Sequence, residues 1–190
     1  MNMNIRYKIE FHTDWHCGSG LAAGADVDAL VVKDQSGLPF VPGKTIKGLL
    51  REAVEEIRGF KGLECDSVFM ETFGYTVNNA KETTLRGKTF FGNAELHDKE
   101  KDAITANKAE RFLYRSIAST AIDENGIAKE HSLRKIEVVV PCTLYGEIID
   151  VPENMTDELI NALKYIKRLG QNRNRGLGRC TISIEKGGMQ

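Results

Sequence analysis

The segment Leu169-Gly-Gln-Asn-Arg-Asn-Arg-Gly-Leu-Gly-Arg179 sets three arginines and three glycines in eleven residues. Lys164, Lys167 and Arg168 precede it, and no acidic residue stands between Glu158 and Glu185. Positive charge is thus concentrated in a chain whose balance, 26 basic against 27 acidic residues, is nearly neutral. Gly170, Gly176 and Gly178 let the backbone turn through positive φ and bring its N–H groups up to phosphate oxygens. Arg173, Arg175 and Arg179 add guanidinium forks with the same preference. Both chemistries fit a polyanion, and the plain alternative is a solvated turn with arginines for solubility.

A second cationic group is Lys44, Lys47 and Arg51, spaced i, i+3 and i+7 along the start of an expected helix, where the helix dipole already favours anions. Pro42-Gly-Lys-Thr45 matches a phosphate-binding P-loop only in part. The preceding glycine, Gly37, is one position too distant, and Pro39 and Pro42 remove amide donors, so nucleotide hydrolysis is not expected. His16, beside Trp15 and the Gly18-Ser-Gly20 turn, has three readings: stacked on a base, bonded to a phosphate, or buried and satisfied. His12 lies four residues earlier without a His-Glu-x-x-His context, which argues against a metal pair. Of Asp26, Asp28 and Asp34, the last is explained as a turn residue beside Ser36-Gly37. Asp28 sits at a strand entry after a flexible loop. It reads either as a surface acid or as a positioned carboxylate that helps hold a divalent cation or assists proton transfer from a ribose 2′-hydroxyl.

The elements that must position these groups follow from periodicity. Ile5, Tyr7, Ile9 and Phe11 alternate with charged residues, as in a strand with one buried face. Ala29–Lys33 and Leu38–Pro42 read as a hairpin whose outer arm is limited by proline. Ile46, Leu49, Leu50, Ala53, Val54 and Ile57 predict an amphipathic helix over 45–58, stopped by Gly59. Residues 89–96 are strand-like, 103–119 are expected to be partly helical, and 136–140 and 143–149 give two further strands. A second helix starts with Thr156 as cap and ends at Gly170, and 181–184 form a last strand. The simplified order, strand, helix, strand, strand, helix, strand, is the α+β ferredoxin-like arrangement that RNA-recognition motifs share.

Composition narrows the class. At 190 residues, 41% hydrophobic and 28% charged, the chain is sized for one core, and no apolar run reaches the roughly 20 residues of a membrane span. The N-terminal residues lack the pattern of a secretory signal, so a cytoplasmic location is expected. Cys17, Cys65, Cys142 and Cys180 are widely separated and are read as reduced packing residues.

Four blocks together resemble the RAMP superfamily of CRISPR-associated proteins, in particular the repeating backbone subunit of type III (Csm/Cmr) effector complexes. They are His16-Cys-Gly-Ser-Gly20, Asp28-Ala-Leu-Val-Val-Lys-Asp34, Gly37-Leu-Pro-Phe-Val-Pro-Gly-Lys-Thr-Ile-Lys-Gly-Leu-Leu-Arg51, and Gly170-Gln-Asn-Arg-Asn-Arg-Gly-Leu-Gly-Arg179. A weaker block from Ile122-Asp123 through Leu133-Arg134 and Glu137 to Gly146-Glu147 is similar to the family's thumb and following strand. The resemblance implies one RNA-recognition-motif-like palm over 1–190, with an irregular insertion at about 60–88 and a protruding thumb at about 97–133. It implies copies stacked head to tail along a guide RNA, with a target RNA and other subunits of a type III complex as partners and no membrane. By the same likeness His16, Lys44, Lys47 and Arg51, together with the loop residues Gly170, Arg173, Arg175, Gly176, Gly178 and Arg179, contact the guide. Asp28 falls where nuclease-active members carry the aspartate for cleavage of target RNA with a divalent metal ion, Mg²⁺ or Mn²⁺. The glycine cluster here, Gly18-Ser-Gly-Leu-Ala-Ala-Gly24, departs from the family's usual form. Two alternatives stay open: a backbone subunit that binds without cutting, and a metal-independent repeat-processing ribonuclease using His12 or His16.

Overall fold

A computed structural model describes residues 2–24, 27–77 and 83–189, so Asp26 and residues 78–82 lie outside the description. Its elements are β1 (Asn2–Phe11), α1 (Gly43–Phe60), α2 (Ser67–Phe73), β2 (Gly74–Val77), β3 (Thr83–Arg86), β4 (Phe90–Phe91), α3 (Asp98–Ala106), β5 (Tyr114–Ser119), β6 (Arg134–Val139), β7 (Thr143–Pro152), α4 (Glu153–Tyr165) and β8 (Cys180–Met189). Strands β4, β7, β1 and β8 form one antiparallel sheet in that spatial order. With α1 and α4 as the two crossovers, this is the ferredoxin-like fold expected from the element order.

Period-2 patterning decides which face of the sheet is covered. Ile5, Tyr7 and Ile9 are fully buried, whereas Arg6 and Glu10 on the opposite face are exposed. Onto the apolar face α1 packs Ile46, Leu50, Ala53 and Val54, and α4 packs Met155, Leu159, Ala162 and Leu163. Arg58 ties the helices together: its Nε lies 2.7 Å from a Glu158 carboxylate oxygen and its Nη1 3.2 Å from Asp66.

The start of α1 is fixed against β4. The Gly43 amide donates to Asn93 Oδ1 at 2.9 Å, and a Cβ at Gly43 would overlap the Phe91 carbonyl oxygen. Only glycine admits that approach, and it sets where Lys44 emerges.

Some boundaries differ from the sequence-based expectations. Helix α4 begins at Glu153, so Thr156 lies inside its first turn, where its hydroxyl donates back to the Pro152 carbonyl instead of capping an amide. The helix ends at Tyr165, which leaves Gly170 within the following loop. The hairpin expected over 29–42 is reduced to an isolated Lys33–Pro39 bridge, because proline cannot sustain the ladder. The helix expected over 103–119 is split: α3 ends at Ala106, and 114–119 instead form β5, which pairs with β6 as a two-stranded ribbon. No helix among the described residues is long and apolar enough to cross a membrane.

Candidate nucleic-acid interface

Beyond β1 the chain runs along the floor of the site. Trp15 stacks on Phe11 with centroids 4.5 Å apart, and its amide donates to the Val139 carbonyl at 3.0 Å. The loop after α4 folds back onto this same segment. The Gln171 amide donates to the His16 carbonyl at 2.8 Å, the Gly178 amide to the Asp14 carbonyl at 2.7 Å, and the Arg179 amide to Thr13 Oγ1 at 3.0 Å. Two loop glycines are required by this seat. At Gly178, φ is +70° and a Cβ would overlap the Leu169 carbonyl oxygen; at Gly170, φ is +96° and a Cβ would stand 2.5 Å from the His16 carbonyl oxygen. Gly178 therefore spends its amide on Asp14 and shapes the loop from within.

Between this loop and the start of α1 lies a cleft of about 360 Å³, lined by His16, Gly18, Lys44, Thr45, Gln171 and Arg173 among others. The two cationic segments of the sequence thus share one surface. Arg175 lines an adjoining hollow with Gly170 and Arg173. Among the described residues, Lys44, Lys47, Arg173, Arg175 and Arg179 have no carboxylate within ion-pair distance, and the first turn of α1 carries no acid. Arg51 is different. Its Nε lies 3.0 Å from Glu55 Oε1, its Nη1 donates to the Gly74 carbonyl at 3.3 Å, and its guanidinium sits over the Phe69 ring, so it serves the packing of α1 on α2. Arg179 is exposed at the base of the loop, beside its bridge to Arg168, and Gly176 turns in open space at φ +90°.

His16 is fully buried, so its ring faces are not free to stack on a base. Nδ1 lies 2.6 Å from the Glu137 carbonyl, and Nε2 has no partner. The Glu137 side chain is equally occupied, accepting from Lys33 Nζ at 2.8 Å and from the Val31 amide at 3.0 Å. Sequence reasoning missed Glu137 as an organiser and Gln171 as a cleft residue. The alternation over 136–140 discloses a face but not a partner 106 residues away. Cys17 also lines the cleft; burial pushes its thiol up to about 12, so it stays protonated near neutral pH. His12 bonds Thr181 Oγ1 at 2.8 Å and does not line the cleft.

Asp28 stands apart from these cations. The chain from Cys17 to Val32 doubles back on itself, with Ser19 N donating to Leu30 O, Leu30 N to Leu21 O and Val32 N to Cys17 O. Asp28 lies three residues up this ladder from the Gly18–Val31 bridge, roughly 10 Å at strand rise. Its Oδ2 accepts the Lys135 amide at 2.7 Å and its own amide donates to the Lys135 carbonyl at 2.8 Å, which holds an exposed carboxylate in one orientation on β6. Among the described residues no group of three or more His, Cys, Asp or Glu side chains is placed to hold a metal ion. One positioned carboxylate still suits Mg²⁺, which commonly takes one or two carboxylates and completes its shell with water and substrate phosphate.

The fold is a ferredoxin-like palm with a cationic cleft at one end of its sheet, its lysine and arginine free of carboxylate partners among the described residues. The chain belongs to the RAMP superfamily, whose family model matches residues 8–181. Its fold is similar to a chain in the cryo-EM structure of the Type III-B Cmr-beta bound to cognate target RNA, with a TM-score of 0.68 and 11% identity over 95% of this chain and 96% of that one. It is also similar to a chain in the apo state of Type III-B Cmr-beta, with a TM-score of 0.69 and 11% identity over 96% and 97%. No curated protein matches the sequence.

Proposed function

We propose that this chain is a guide-RNA-binding subunit of a type III CRISPR effector complex in the cytoplasm, and that it cleaves target RNA with a divalent metal ion at Asp28. The observation that carries the binding half is the cleft itself, where α1 and the Gly170–Arg179 loop present unpaired cations on one surface. The superfamily membership and the likeness to chains of a Cmr complex, one solved with cognate target RNA, support the same reading. Its partners are a guide and a target RNA, further copies of itself and other complex subunits. The protein reads ribose and phosphate, while base pairing between guide and target carries the sequence.

The cutting half rests on Asp28. Asp28 would hold the Mg²⁺ or Mn²⁺ ion, whose chemistry there would be positive charge toward the scissile phosphate. The chain's own contribution is the Lys135 clamp, which aims a single exposed carboxylate while the cations that grip the guide lie elsewhere. Reconstituted complex carrying Asp28→Ala is expected to retain guide binding and to lose metal-dependent cleavage of complementary RNA by roughly a hundredfold or more. Equal cleavage by the variant removes Asp28 from the reaction. Target protection without cleavage by the unmodified complex establishes a backbone subunit that only binds. Metal-independent cutting of precursor guide by the isolated chain, lost in His12→Ala or His16→Ala, establishes repeat processing instead.

A further inference from the structure

We propose that His16 Nε2 is a hydrogen-bond acceptor for a ribose 2′-hydroxyl, making the Gly18 side of the cleft the place where this protein distinguishes RNA from DNA. The inference rests on the RNA reading above and adds the group that is recognised. The tautomer follows from the partner. Glu137 offers Nδ1 a carbonyl oxygen, which can only accept, so the proton is on Nδ1. In the neutral ring Nε2 then carries only a lone pair, and it is fully buried with no hydrogen-bond partner. A buried acceptor left unpaired is costly, and it awaits a ligand that brings a proton.

The space beside it has a matching shape and chemistry. Gly18 lets the two groups approach it closely: the point where a Cβ would stand is 3.1 Å from His16 Nε2 and 2.9 Å from Gln171 Nε2, so a side chain at this position would press on both. Because Nε2 is fully buried, a group entering from the cleft reaches it as the exposed Gln171 side chain turns aside, and it then meets an acceptor on the imidazole and a donor on the carboxamide. A hydroxyl both donates and accepts, so it satisfies the pair. A phosphodiester oxygen only accepts and would set its lone pairs against that of Nε2. The phosphates have other partners close by in Lys44 and Arg173. In a ribose-phosphate strand the 2′-hydroxyl is the sugar group that supplies such a proton, and it is absent from DNA.

The test measures binding of the full chain to guide strands of one sequence, either all-ribose, 2′-deoxy or 2′-O-methyl, at fixed salt. Three proteins are compared: the unmodified chain, His16→Asn and Gly18→Ala. Asparagine keeps a donor near the Nδ1 position for the Glu137 carbonyl and removes the Nε2 acceptor. Alanine keeps the imidazole and sets a methyl group against Nε2 and the Gln171 carboxamide, blocking the approach of a hydroxyl, which keeps the test valid if His16→Asn does not fold. The unmodified chain is expected to prefer ribose over deoxy and 2′-O-methyl strands by roughly tenfold, the value of one hydrogen bond, and both variants should lose most of that preference through weaker binding of the ribose strand alone. A preference retained in both variants overturns the proposal. So does equal weakening on all three strands, which marks His16 as purely structural, or a variant effect that follows methylphosphonate substitution in place of 2′ chemistry. If the unmodified chain binds ribose and deoxy strands equally well, only this inference fails. If it binds none of them, the RNA reading fails with it.

Discussion

Two surfaces of this protein carry exposed basic side chains, and they treat them in opposite ways. On the uncovered face of the sheet a hollow of about 430 Å³ is lined by Arg6, Glu95, Lys101, Tyr145 and Glu147 among others. There, among the described residues, the cations have carboxylates: Arg6 with Glu147 at 4.0 Å, Lys8 with Glu10 at 3.9 Å, Lys101 with Glu95 at 2.5 Å. Pairs of this kind add little stability, but they cancel the local potential. At the cleft, Lys44 and Arg173 have no such partner among the described residues, and the dipole of α1 adds to their field. The two surfaces therefore differ in the pairing of their cations more than in their number, and it is the unpaired surface that the proposed function assigns to RNA. On the sheet face Phe90 is exposed, and Tyr145 is engaged edge-on with His97.

The comparison breaks most sharply under charge reversal. Lys44→Glu combined with Arg173→Glu should weaken binding of guides of any sequence by roughly a hundredfold or more at moderate salt, whereas Lys8→Glu on the sheet should change it by less than about twofold. Filter binding at one ionic strength reads both, and equal losses would erase the distinction between the surfaces. A smaller effect separates the glycines. Gly178→Ala forces a Cβ onto the Leu169 carbonyl at positive φ and should cost roughly 1–3 kcal/mol, while Gly176→Ala, with nothing within 4 Å, should cost about 1 kcal/mol or less, as thermal unfolding would show. Neutralising Arg173→Gln and Arg175→Gln should reduce the salt slope of guide binding by roughly 0.7 for each phosphate no longer neutralised. The smallest effect is one of pH. Burial raises the Cys17 thiol from 9.0 to about 12, so its contribution to stability is complete below pH 9 and is lost as pH climbs toward 12. Cys17→Ala should flatten the alkaline limb of a melting-temperature profile, and a limb of unchanged slope would assign it to other groups.

Much of this architecture is legible in the sequence, because its signals are local. The alternation of Ile5, Tyr7 and Ile9, the helical spacing from Ile46 to Ile57 and the glycine-arginine loop each declare themselves within a few residues. The shared charge of Lys44 and Arg173 suggests a common surface, and the fold realises it through backbone hydrogen bonds between the loop and residues 13–16. What the sequence hides is non-local. Nothing near His16 in sequence announces Glu137, and nothing in the spacing of Lys44, Lys47 and Arg51 shows that the last is claimed by Glu55 and Gly74. The β5–β6 ribbon is obscured because its residues, from Tyr114 to Ser119, are exposed or half-buried and lack an apolar period.

The central claim is that the cleft between the start of α1 and the Gly170–Arg179 loop grips the ribose-phosphate strand. Photo-crosslinking of a guide RNA carrying 4-thiouridine to the full chain, followed by mass spectrometry of the adducts, tests it most directly. Adducts are expected on the cleft residues around Gly18, Lys44, Gln171 and Arg173. Adducts confined to the uncovered sheet face, at Arg6, Phe90 or Tyr145, would contradict it.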